Sequence, residues 1–239
     1  MVYFNYSPNK PLGDVRVRLA FNYAIDRNAF NQVMMLGLSE LAMTMLPSTH
    51  WAYDKALADF YPYDPDRAKS LLKQAGLESG VELDMYGWAD QDSVRRNELL
   101  MEQLRKVGFR SKMTVGTVAD AANWFLVQRK GDAFLASGSG RPDAVTTYLQ
   151  MFAADGPNNP ARAPVPPQLP EVFKAAQQDD TMENRRKKIA QLQRVVAESA
   201  LFAPIHFDRQ IHVSSERVKG FRWNLLGGRP RFDDVYLQS

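Results

Sequence analysis

The sequence contains no cysteine, so disulfides, thiolate metal sites and cysteine nucleophiles are excluded together and the redox compartment stays open. No run of about 18 uncharged apolar residues occurs, which excludes a membrane-spanning helix. The start, Met1-Val2-Tyr3-Phe4-Asn5-Tyr6-Ser7, lacks the basic and then apolar regions of a secretory signal. Neither sign of charge dominates: 30 basic and 27 acidic residues leave a net charge of +3, and the two signs are interspersed. Nucleic-acid binders concentrate Lys and Arg on one face, so no nucleic-acid partner is expected. The densest basic run, Arg185-Arg186-Lys187-Lys188, falls in a helical pattern whose other face is apolar, and reads as a solvated helix face.

Histidine is scarce as well, with His50, His206 and His212 the only three. His206 and His212 share strand parity but would stand roughly 20 Å apart at about 3.3 Å per residue, too far to ligate one metal. His-x-x-x-His, an EF-hand loop and the Gly-x-Ser-x-Gly elbow are all absent. Gly138-Ser139-Gly140 is followed by Arg141-Pro142 rather than Gly-Lys-Ser/Thr, so it is not a phosphate loop. No catalytic residue, metal site or cofactor is therefore expected. Glu82 and Asp84 alternate with Leu83 and Met85 and mark the polar face of a strand rather than a pair of catalytic carboxylates.

What remains is ordinary globular material: 45% hydrophobic, 24% charged, with 14 Gly and 14 Pro. The 239 residues amount to about 1.6 average domains. Asp14 and Asp26 can cap helices after an extended start, and Asp64-Pro65-Asp66-Arg67 is a compact helix beginning that runs to Gly76. Residues 81–86 read as a strand, 93–107 as a helix ended by Gly108, and 109–115 as a second, parallel strand. A helix over 119–129 and a strand over 133–136 follow, and then a small-residue loop over 137–143 leads to a helix through Tyr148 and Phe152. Prolines make 154–167 a surface loop, two helices follow, and 201–213 reads as one strand. This pattern predicts an α/β fold with a mixed, mostly parallel sheet flanked by helices.

In open α/β sheets, ligands collect beyond the carboxyl ends of the strands. Here those ends carry Gly87-Trp88-Ala89-Asp90, Gly116-Thr117-Val118 and Ser137 to Asp143. Small and polar residues with one aromatic suit a binding surface without demanding chemistry. A bland role stands beside each functional one: Trp88 as a core-covering residue, Asp143 as a helix cap.

Those segments also carry a resemblance. Lys10-Pro11-Leu12-Gly13-Asp14 through Ala24-Ile25-Asp26-Arg27, His50-Trp51-Ala52-Tyr53, Tyr61-Pro62-Tyr63-Asp64-Pro65, Gly140-Arg141-Pro142-Asp143 and Val218-Lys219-Gly220-Phe221 resemble, in order, family 5 extracellular solute-binding proteins. These are the peptide-, dipeptide- and nickel-binding subunits of ABC importers. The resemblance implies a lobe of the type II periplasmic-binding-protein fold, with residues 1–213 the second lobe of a two-lobed protein and 214–239 a return segment that packs on the first. It implies a chain that begins midway through an exported, periplasmic protein and lacks most of lobe one. A small solute or peptide and a membrane permease are the expected partners. Ligand-contacting candidates are Trp51, Tyr53, Trp88, Asp90, Ser137, Ser139, Arg141 and Asp143. Dipeptide binders place an aspartate that pairs with the peptide's amino group where Gly138 stands here, so that clamp would need another acid such as Asp90. The same lobe type also occurs as the ligand-sensing domain of transcriptional regulators. Residues 214–239 carry Val218, Phe221, Trp223, Leu225, Leu226, Phe232, Val235, Tyr236 and Leu237, an apolar load that predicts self-association where no lobe covers it.

Overall fold

The computed structural model describes residues 1–138, 140–141, 143–161, 166–178, 180–209, 211, 213–223 and 230–238. Its strands are β1 (Val2–Phe4), β2 (Glu40–Leu41), β3 (Val81–Trp88), β4 (Phe109–Gly116), β5 (Ala133–Leu135), β6 (Phe202–Ala203), β7 (His206–Phe207), β8 (Val218–Lys219), β9 (Arg222–Trp223), β10 (Pro230–Arg231) and β11 (Tyr236–Leu237). The α-helices are α1 (Val15–Tyr23), α2 (Arg27–Met35), α3 (Pro65–Gln74), α4 (Gln91–Arg105), α5 (Val118–Ala122), α6 (Ala144–Phe152), α7 (Leu169–Gln177) and α8 (Met182–Glu198).

The main sheet has the order β4-β3-β5-β1-β6. β3 is parallel to both β4 and β5, whereas β1 is antiparallel to both β5 and β6, so β1 alone runs against the other strands. From β3 the chain moves outward to β4 on one side, while from β5 it moves the other way toward β6. The boundary between β3 and β5 is thus the topological switch point, where the connections diverge and a crevice opens.

Register fixes which side chains share a face. Phe4 lies opposite Ala133, which lies opposite Met85, and this face meets α1 through Phe4 and Phe21, whose ring centroids are 4.9 Å apart. Phe21 continues to Phe109 at 5.6 Å. The other face carries Tyr3, Phe134, Tyr86 and Trp88, and meets Trp124 and Phe125. Helices pack on both faces of this mixed sheet, but the buried odd and exposed or half-buried even residues along β3 show that the even face is open to solvent at the start of that strand and covered only toward its end. Glu82 and Asp84 are on its exposed side.

Local signals locate the helix starts. The side chains of Asp14, Asp26, Asp64, Asp90, Thr117, Asp143 and Thr181 each accept a backbone N–H in the first turn of the helix they precede. Three expectations are corrected. The helix expected over 119–129 is α5 followed by a π turn, Asn123–Val127, in which Gln128 N–H donates to the Asn123 carbonyl at 2.9 Å. The strand expected over 81–86 runs on to Trp88. The single strand expected over 201–213 is two short pieces: β6 pairs with β1, and after Pro204, β7 leaves the sheet to pair with β2. Proline has no N–H to give a ladder, and the Pro204 carbonyl is taken by the Arg27 guanidinium at 2.7 Å. The strand that holds His206 ends at Phe207, and His212, with Leu225 and Leu226, lies outside the described residues. Beyond β7, β8 pairs with β11 and β9 with β10 in two small antiparallel ladders.

Candidate functional site

At the switch point the carboxyl ends of β3 and β5 lie beside the start of the reversed β1. Trp88 is half-buried, its ring edge-on to Phe134 at 6.5 Å, and its indole N–H is buried with no acceptor among the described residues. It is the last residue of β3 rather than a free loop aromatic, because strand pairing with Gly116 holds its backbone. Tyr3 packs on the same Phe134 at 5.8 Å from the opposite side. Gly138 lies over its hydroxyl: a Cβ at Gly138 would stand 2.9 Å from the Tyr3 oxygen. Ser137 and Gly138 are exposed. Asp90 is exposed, but one carboxylate oxygen accepts from the Ser93 N–H at 3.0 Å as the cap of α4, and hydrogen bonds from Ser93 hold its pKa below the usual carboxylate value.

A second group gathers around the N-terminus of α6. Asp143 accepts from the Thr146 N–H at 2.8 Å and its hydroxyl at 2.9 Å, and pairs with Arg185 at 3.2 Å. The Arg185 guanidinium in turn lies 5.9 Å from the Trp51 ring centroid, and Trp51 faces His50 at 5.7 Å. Burial lowers the His50 pKa against the opposing charge of Asp143. Arg141 donates its backbone N–H to Thr147 Oγ1 at 2.8 Å and its Nε to Gln150 Oε1 at 3.1 Å, and has no carboxylate partner among the described residues. Tyr53 is half-buried, and burial, with Glu40 and Asp54 nearby, raises its pKa. Ser139 lies outside the described residues.

The expected residues thus fall in two groups, Trp88, Asp90 and Ser137 at the strand ends and Trp51, Arg141 and Asp143 around α6, joined by the loop from 136 to 143. Reading the residues in isolation missed Tyr3, which looked like a piece of an extended start, and Arg185, which sat in a basic run. The run is otherwise solvated as expected, with Lys187 paired to Glu183 at 2.7 Å and Lys188 to Asp180 at 2.9 Å. Because Asp143 caps α6 and also neutralises Arg185, Asp143→Ala is expected to cost about 1–2 kcal/mol, while Asp143→Asn, which keeps the cap, costs less than half of that. Urea denaturation of both variants checks the difference.

Elsewhere, His206 Nε2 and Asp208 Oδ1 are 2.8 Å apart, and Arg96 approaches the same carboxylate at 3.9 Å. A cavity of about 470 Å³ between α2 and α4 is lined by Val33, Met34 and Leu99 and by Asp92, Arg95, Arg96 and Glu98, and none of the expected residues borders it. Among the described residues no three His, Cys, Asp or Glu converge to hold a metal ion, and no helix is long and apolar enough to cross a membrane.

A mostly parallel sheet with one reversed strand, covered on both faces and presenting polar loops at its carboxyl ends, is a lobe of the type II periplasmic-binding-protein class. Solved members share it closely. A dipeptide-binding protein from Pseudoalteromonas sp. SM9913, in complex with Met-Leu, superposes with a TM-score of 0.85 over 99% of this chain and 48% of its own, at 22% identity. An ABC transporter-associated periplasmic binding protein from Helicobacter pylori, in complex with the peptide STSA, gives 0.86 over 100% of this chain and 46% of its own, at 21% identity. In sequence, the heme-binding protein A of Haemophilus influenzae is 29% identical over 92% of this chain and 42% of its own length. The dipeptide-binding protein of Escherichia coli is 36% identical over 46% of this chain and 22% of its own.

The description of bacterial extracellular solute-binding proteins, family 5, middle region, matches residues 1–186, and the chain belongs to that family. Members of the family are non-enzymatic, extracellular or periplasmic transport components. The chain spans about half the length, or less, of the relatives it matches.

Proposed function

We propose that this chain forms one wall of a solute-binding cleft in the substrate-binding component of an ABC importer, taking up peptides or a similar small solute. The observation that carries the reading is the convergence of the β3 and β5 ends at the switch point, where Trp88 and Ser137 stand beside an unpaired hydroxyl. In this reading residues 1–213 are the second lobe, and the loops bearing Trp51, Tyr53, Trp88, Asp90, Ser137, Ser139, Arg141 and Asp143 supply its wall.

The facing wall belongs to the first lobe, and binding is closure of the two about a hinge, with solute contacts to both walls stabilising the closed state. The closed form then docks on a membrane permease in the periplasm. Residues 214–239 return to the first lobe, which would cover Phe232, Tyr236 and Leu237, now 65%, 60% and 69% exposed. A chain left without that cover would self-associate through them.

Titrating the ¹⁵N-labelled chain with the dipeptide Met-Leu at millimolar concentration tests this reading. Shifts are expected at the backbone amides of residues 88–90, 116–118 and 137–141. Shifts confined to the cavity between α2 and α4, or no shifts, would remove these loops from the binding wall.

A further inference from the structure

We propose that the Tyr3 hydroxyl is a ligand-contacting group of this wall, reached by the solute past Gly138, and that it donates its hydrogen to a carboxylate oxygen of the solute. The inference rests on the solute-binding reading above and names the chemistry of one end of that solute.

Tyr3 is 8% exposed, and its ring is fixed by strand pairing and by Phe134. The ring is buried, but the hydroxyl at its end is not sealed in as those of Tyr6 and Tyr148 are. Here the hydroxyl has no hydrogen-bond partner among the described residues. It lies beneath the loop above the switch point, under Gly138, which has no side chain to cover it. The 2.9 Å between the Tyr3 oxygen and a Cβ built at Gly138 means that any side chain there would press on the hydroxyl. Glycine keeps that approach open.

Trp88, on the other side of the same Phe134, carries an indole N–H that is buried and has no partner among the described residues. Tyr3 and Trp88 thus pack on one ring at the divergence of β3 and β5, with the Trp88 N–H sealed in and the Tyr3 hydroxyl beneath Gly138.

The surrounding charges decide what kind of acceptor. Of the acids in the flanking loops, Asp143 caps α6 and is neutralised by Arg185, and Asp90 gives one carboxylate oxygen to the cap of α4. Arg141, three residues beyond Gly138, has only the neutral Gln150 and Thr147 as partners among the described residues and leaves positive charge on the loop. Burial raises the Tyr3 pKa to about 12, which keeps the phenol protonated and a donor at any physiological pH. A hydroxyl donor beside a cation that has only neutral partners among the described residues suits an anionic acceptor.

The test uses Tyr3→Phe, which keeps the ring and its packing and removes a hydroxyl that bonds nothing among the described residues. The ¹⁵N-labelled chain is titrated with sodium acetate, acetamide and Met-Leu, following the Gly138, Gly140 and Arg141 amides and the Trp88 indole N–H. Acetate is expected to shift these signals in the unchanged chain and acetamide to shift them far less. Tyr3→Phe is expected to weaken acetate and Met-Leu about tenfold.

Gly138→Ala should weaken both probes similarly, and adding it to Tyr3→Phe should cost no further affinity, because both changes remove one contact. Acetate shifts of equal size in the unchanged chain and in Tyr3→Phe, or no acetate shifts at this loop, overturn the inference. If Met-Leu still shifts the strand-end loops in that case, the solute-binding reading stands without it. If acetate binds through Tyr3 while Met-Leu shifts nothing, the inference stands and the peptide reading falls.

Discussion

Replacing Arg27 by methionine is expected to destabilise the chain by about 3–5 kcal/mol, although methionine fills much of the same space. Arg27 is only 3% exposed, and no carboxylate pairs with it among the described residues. Its guanidinium instead serves main-chain and amide oxygens: Nε donates to the Pro204 carbonyl at 2.7 Å, Nη1 to the Asn22 and Tyr61 carbonyls, each at 3.1 Å, and Nη2 to the Asn22 side-chain oxygen at 2.9 Å. Burial lowers its pKa to about 10, so it still carries its charge at neutral pH. Methionine restores the packing but leaves the Pro204 and Tyr61 carbonyls and the Asn22 side-chain oxygen without this donor, each costing about 1–3 kcal/mol. Alanine adds a cavity and should be worse.

A urea denaturation midpoint lowered by more than about 1 M for Arg27→Met checks the expectation. A loss under about 1 kcal/mol would mean that water or a backbone shift satisfies the carbonyls. Arg18 acts in the same way from α1, donating to the Ser199 carbonyl from Nε and Nη2 and to the Leu12 and Gly13 carbonyls from Nη1. Together the two arginines tie the N-terminal helices to the segment from Ser199 to Pro204 that carries the chain into and out of β6.

Arg27 also marks the limit of what was legible in the sequence. Its partners lie up to 177 residues away, and nothing local distinguishes it from a solvated arginine after a helix cap. The elements that were legible rest on neighbouring residues. Asp64-Pro65 announced α3 because a cap and an N1 proline act within one turn, and the alternation over 81–86 announced β3 because its period of two is set by the strand itself.

The split of 201–213 was hidden because Pro204 breaks a ladder only if its N–H would have faced a partner, and that depends on β1 and β2, far off in sequence. The site divides in the same way. The small, polar composition of the loop after β5 was visible, and so was Asp143 as a cap. Arg185 reached Asp143 only through the packing of α8 near α6, and Tyr3 came under Gly138 only because β1 inserts between β5 and β6. A reversed strand that pairs Tyr3 with Phe134 on one side and Phe202 on the other leaves no periodic trace of where its side chains end.

The largest effect expected on function is the affinity gained when the chain is joined to the remaining half of the length its relatives have. Solute sites in clefts cover about 70–90% of the ligand surface, and a single wall covers roughly half of that. Micromolar binding corresponds to about −8 kcal/mol and millimolar to about −4 kcal/mol, so removing one of two comparable walls is expected to weaken binding about a thousandfold. Closure adds to the difference, because a solute that touches both walls shifts the open–closed equilibrium only when both are present.

Calorimetry with Met-Leu should give a dissociation constant near millimolar for the 239-residue chain and near micromolar for a longer protein that contains the facing lobe. The same pair of proteins should differ at the tail, with amide hydrogens of residues 230–238 exchanging more slowly in the longer one as Phe232, Tyr236 and Leu237 become covered. Micromolar binding by the 239-residue chain alone would mean that this lobe holds the whole site, and the two-wall reading would have to be abandoned.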